Sequence, residues 1–173
     1  MSPAIIFDFH LILGYVAWFL CFRAYIWPWL SSLDAMAAQR AIATLHSFRF
    51  FGLVFLIPGV VGTGLPPAFA TYAAYGDFAA GLLAILALLA VRMRPLFWLL
   101  VTGFNLVGAA DLLIDYYHGV TLNLAAASGQ LGATYAIPIL YVPILMITHG
   151  AAFYLLLRGE PGRVAATRPA RAS

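Results

Sequence analysis

The chain has 173 residues, of which 64% are apolar and only 9% charged, with a formal net charge of +3. Soluble domains hold about 45–50% apolar and about 25% charged residues, so a water-soluble fold of this length has nowhere to bury so much apolar surface. Every basic charge is an arginine: the absence of lysine excludes a Schiff-base site and a phosphate-loop nucleotide site, and the single cysteine, Cys21, excludes an intramolecular disulfide or dithiol pair.

The composition predicts an all-α polytopic membrane protein. Residues 1–158 would form a bundle of five transmembrane helices and 159–173 a disordered, basic cytoplasmic tail. Apolar stretches near 6–28, 38–62, 70–91, 96–117 and 135–157 each supply the ~20 residues of a bilayer crossing. The first lacks a basic leader, opens with Asp8 and His10, and is too long for the core of a cleavable signal peptide. Ser31 and Asp34 stand in capping-box spacing, so the second crossing is expected to begin in water. Pro58-Gly59 closes it and Pro66-Pro67 marks the following turn; Gly62-Thr63-Gly64 precedes prolines rather than a helix and reads as a turn. The third crossing carries Ala80, Gly81, Ala84 and Ala87, small residues that let neighbouring helices approach closely. Arg92-Met93-Arg94-Pro95 makes a tight connection to the fourth, which offers Gly103, Gly108, Ala109 and Ala110. Pro138 and Pro143 each remove a backbone donor from the fifth, which predicts a kink, either bordering a cavity or merely bending the helix.

Orientation follows from arginine placement. Arg23, Arg40, Arg92, Arg94, Arg158 and the tail arginines all fall on one side of the threaded chain, and the other side has none. The positive-inside rule then places the N-terminus outside and the C-terminus in the cytoplasm, in a cell inner membrane. Trp27, Trp29 and Trp98 would form the inner aromatic belt, and Tyr72, Tyr75, Tyr116 and Tyr117 the outer one.

Ionisable groups inside a bilayer cost about 2.5–3.5 kcal/mol each on insertion scales, so each needs a reason. At a rise of about 1.5 Å per residue, His46 lies roughly 6 Å below the inner boundary, and Arg49 and His149 about 11 Å. Asn105 and Thr102 of the fourth crossing fall near the same level. Two histidines on different helices at matching depth are a candidate axial pair for haem b, which would make the chain an electron-transfer protein or subunit. Arg23, Arg40 or Arg49 would hold the propionates, and Phe48, Phe50, Phe51 and Phe55 would pack on the macrocycle. The plainer alternative is that His46 snorkels or bonds a neighbouring helix while Arg49 reaches the interface or pairs with a buried acid; an Arg49–Asp111 or Arg49–Asn105 contact would tie the second and fourth crossings together.

A second polar group gathers at the outer side. Asp8 and His10 open the first crossing and Asp77 the third, while Asp111, Asp115 and His118 recur at i, i+4 and i+7 on one face of the fourth. Carboxylate and imidazole together can bind a divalent metal such as zinc or manganese, or relay protons. That set supports a carrier or sensor for a small solute, proton or metal ion. Acids at helix ends are also often simply solvated, which leaves a structural subunit without activity as a further reading. No hydrolase elbow, zinc-protease helix or glycine-rich nucleotide loop occurs. The expected partners are the lipid bilayer and, for an electron carrier, quinone, membrane partner subunits or a second copy, with no nucleic acid.

Overall fold

A computed structural model describes residues 1–158, and its regular elements are helical throughout. The tail expected over 159–173 lies outside the described residues. Four helices are long and apolar enough to cross a membrane, Pro3–Ser32, Pro67–Leu89, Arg94–Thr121 and Ile137–Arg158. The chain is an all-helical, multi-pass membrane bundle.

The first crossing is α1 (Pro3–Cys21), continued through a π-helical turn, Phe22–Ile26, into α2 (Trp27–Ser32). Its outward face carries Ile12, Leu13, Phe19 and Leu20, each more than half exposed, as a lipid-facing surface requires. The expected capping box is replaced by a single cap. Asp34 itself accepts from the Ala37 N–H at 2.8 Å, while the Ser31 hydroxyl turns back to donate to Pro28 O in the last turn of α2.

The stretch expected at 38–62 is not one α-helix. It is α3 (Ala35–His46, 12 residues) followed by a 3₁₀ segment of 10 residues, Ser47–Leu56. At about 1.5 and 2.0 Å per residue the two together reach ~38 Å, more than the ~30 Å of hydrocarbon. A 3₁₀ helix eclipses side chains three apart. Arg49, Gly52 and Phe55 fall on that repeat and are the buried residues of the segment, so one face of three-residue period turns inward.

α4 (Pro67–Leu89) begins with Pro67 in its first turn, a position whose missing N–H costs nothing. Its small residues are buried as expected, Ala80, Ala84 and Ala87 completely. A Cβ at Gly81 would stand 2.8 Å from the backbone nitrogen of Phe50, so the 3₁₀ segment rests on α4 only because that position is glycine. After a short turn, α5 (Arg94–Thr121, 28 residues) returns against α4. The last crossing is a π-helical stretch, Ile137–Tyr141, with Pro138 in its first turn, leading into α6 (Val142–Arg158).

The loops after the second and fourth crossings are tied together by Gln130. Its backbone carbonyl accepts from Gly62 N–H at 2.7 Å and its side-chain oxygen from Gly64 N–H at 3.1 Å. Two apolar clusters fill the bundle, one around Phe55, Phe69 and Leu131 near these loops, the other around Leu30, Phe97 and Phe104 at the opposite end. Between them lies a polar layer.

Candidate functional site

Groups from three other crossings converge on Arg49, which is fully buried. Its Nε–H donates to Asp77 Oδ1 at 2.7 Å and its Nη2 to Asp111 Oδ2 at 2.5 Å. Nη1 donates to the Gly108 carbonyl at 3.2 Å and meets His149 Nε2 at 3.3 Å. Asp77 and Asp111 are only 4% and 8% exposed, so both ion pairs are withdrawn from solvent. Buried pairs of this kind hold only where geometry is good and the remaining hydrogens find acceptors, and four of the five guanidinium N–H groups do so here.

Hydrogen-bond bookkeeping assigns the histidine tautomers. Asn105 Nδ2 donates to Val101 O at 2.9 Å, which leaves Oδ1 as the acceptor facing His149 Nδ1 at 2.9 Å. His149 therefore carries its hydrogen on Nδ1 and offers Nε2 to Arg49. Thr148 Oγ1 donates to Ile144 O at 2.7 Å, so it accepts from His46 Nε2–H at 3.0 Å. His46 Nδ1 and Gln39 Oε1 are buried without partners among the described residues, while Gln39 Nε2 donates to Ala152 O at 2.9 Å. Gly108 provides the room, since a Cβ there would lie 2.5 Å from Arg49 Nη1 and 2.7 Å from His149 Nε2.

His46 and His149 thus meet across α3 and α6, and as placed their rings leave no space for a haem between them. Their ring centroids are 4.1 Å apart, in direct contact, and each Nε2 already holds a protein partner. A metal–imidazole bond is about 2.0–2.1 Å on each side, and a macrocycle between the rings would have to part them. The surroundings differ from a haem pocket as well. Phe48, Phe50 and Phe51 are about half exposed on the outward faces of the 3₁₀ segment, Arg23 and Arg40 are exposed at the bundle surface, and Thr102 bonds the carbonyl of Trp98.

The division of polar residues into inner and outer groups also needs correction. Asp77 does not open its crossing: α4 starts at Pro67, so Asp77 lies well inside it and shares Arg49 with Asp111. Asn105 bonds His149 rather than Arg49. The remaining outer residues diverge. His10 Nδ1 lies 3.1 Å from the Tyr135 hydroxyl, and the His118 ring lies 4.7 Å from that of Tyr72. Among the described residues no group of three or more His, Cys, Asp or Glu is placed to hold a metal ion.

Asp8, Asp77 and Asp115 instead line a cavity of about 290 Å³. Its wall is otherwise mostly apolar, with Phe7, Leu11, Phe55, Phe69, Ala73 and Leu124, and Pro138 borders it, which places the cavity beside the π-helical start of the fifth crossing. Asp115 Oδ1 is buried there without a hydrogen-bond partner. Tyr116 completes the wall, its hydroxyl 2.5 Å from that of Tyr15. Sequence reasoning places these three carboxylates in one outer group; the cavity joining them depends on apolar residues of several separate segments, which no local pattern marks.

No curated protein and no solved structure matches the chain. Residues 6–157 match the family model described as Domain of unknown function (DUF8737), a span that takes in every crossing and the whole polar layer, and the chain belongs to that family.

Proposed function

We propose that this protein is a carrier or sensor, in a bacterial cytoplasmic membrane, for a small solute bearing one positive charge. The Pro3 end of α1 faces outward in this reading. The observation that carries it is the cavity wall: apolar on most sides, with Asp77 and Asp115 set into it beside the arginine cluster. One guanidinium serves two carboxylates, Asp77 and Asp111, and Asp115 adds a third with no basic partner among the described residues. Excess negative charge is costly in a low-dielectric interior and is relieved by a proton or by a cation. A cationic group near Asp115 reduces that excess, while Phe7, Phe55 and Phe69 cover its apolar part. The volume sits at the lower end of the roughly 300–1,000 Å³ typical of ligand pockets, so the solute is small. An organic cation suits these walls better than a bare divalent ion, which needs several oxygen or nitrogen ligands at once.

Calorimetric titration of the detergent-purified protein with n-butylammonium and tetramethylammonium tests this. Binding of either cation is expected, weakened at least about tenfold by Asp115→Asn and unaffected by His118→Gln, which lies outside the cavity. Folded protein that takes up neither cation would remove the reading.

A further inference from the structure

A second recess lies at the other end of the bundle, where the first and last crossings meet. Its volume is about 280 Å³, and it is lined by Phe19, Phe22, Arg23, Trp27, Ala151 and Tyr154. We propose that this groove binds an anionic phospholipid, with Arg23 and Arg158 on the phosphate and the acyl chain along Phe19 and Ala151.

The backbone prepares this arrangement. Residues four apart drift by about 40° per step around a regular α-helix. The wider π-helical turn at Phe22–Ile26 takes up that drift, so Phe19, Arg23 and Trp27 all face the groove. The opposite wall is α6, where the Arg158 guanidinium stacks 4.7 Å above the Tyr154 ring. The Trp27 and Tyr154 rings meet edge to face at 5.4 Å, which gives the groove an aromatic floor of the kind that sits at headgroup level.

Charge complementarity selects the ligand. Neither Arg23 nor Arg158 pairs with a carboxylate among the described residues. The one carboxylate near this end among them, Asp34, is occupied in capping α3. Two guanidinium groups match phosphate oxygens in geometry as well as charge. Shape selects a lipid over a soluble phosphate: Phe19 is 57% exposed beside the arginine, so a ligand that fills the groove must bring an apolar chain. Basic recesses between membrane helices commonly hold anionic headgroups. This site is independent of the cavity at Asp115 and does not rest on its reading.

The test compares full-length protein in nanodiscs of phosphatidylcholine with and without phosphatidylglycerol, by native mass spectrometry of retained lipid and by thermal unfolding. One retained phosphatidylglycerol and a raised Tm are expected for the native chain. Its preference over phosphatidylcholine should fall about fivefold for each of Arg23→Gln and Arg158→Gln. Arg23→Lys, which keeps the charge, should lose less than Arg23→Gln, and Ala151→Phe should expel the lipid by filling the groove. Equal retention of both lipids by the native chain, or undiminished preference in the double glutamine variant, overturns the proposal. So does a full Tm shift from glycerol 3-phosphate alone, which would identify a soluble phosphate site.

Discussion

Arg49 shows how strongly one side chain can organise a membrane interior. Removing it leaves two carboxylates buried without a cation, so Arg49→Met should destabilise the protein by about 3–5 kcal/mol in denaturant unfolding from micelles. Replacing the whole set, Arg49→Met with Asp77→Leu and Asp111→Leu, should recover most of that loss, because apolar groups of similar volume need no partners. A triple variant as unstable as the single one would show that packing, not charge, dominates. Gly108→Ala pushes a methyl group into Arg49 and His149 and should cost about 1–3 kcal/mol by the same measurement. The Arg49–Asp111 pair was legible in the sequence, since an intramembrane cation must find an opposite charge and few acids lie within reach. Asp77 was hidden because its helix starts earlier than hydropathy indicated, which disguised a buried residue as a terminal one.

At the level of elements, the crossings were legible because ~20 apolar residues leave few alternatives in lipid. The helix type within them was not. Amphipathic periodicity identifies a helix in water, but here the outward faces are as apolar as the inward ones, and the 3₁₀ repeat shows only through Arg49, Gly52 and Phe55. That repeat yields a sharp expectation. Phe55 is 3% exposed and Phe51 56%. Phe55→Ala should therefore cost about 3–5 kcal/mol, whereas Phe51→Ala should stay within about 0.5 kcal/mol. Comparable losses at the two positions would contradict the three-residue face. The π-helical turn at Phe22–Ile26 was not read from the sequence, although Pro28, which lacks the N–H that would bond the Ala24 carbonyl, follows it directly.

For the molecule as a whole, the arginine bias makes a claim about threading that labelling can check. In a Cys21→Ser background, a membrane-impermeant maleimide should modify Ser2→Cys in intact cells and Met93→Cys only after permeabilisation; the opposite pattern reverses the bundle. The ion cluster adds a consequence for biogenesis. Arg49 leaves the ribosome 28 residues ahead of Asp77 and 62 ahead of Asp111. At about 5–20 residues per second, the last partner emerges roughly 3–12 s later. Until Asp77 supplies the first counter-charge, the second crossing carries a cation whose burial in lipid costs about 2.5–3.5 kcal/mol. The second crossing is thus expected to settle in lipid together with the third, which brings Asp77, and the fourth then closes the cluster with Asp111.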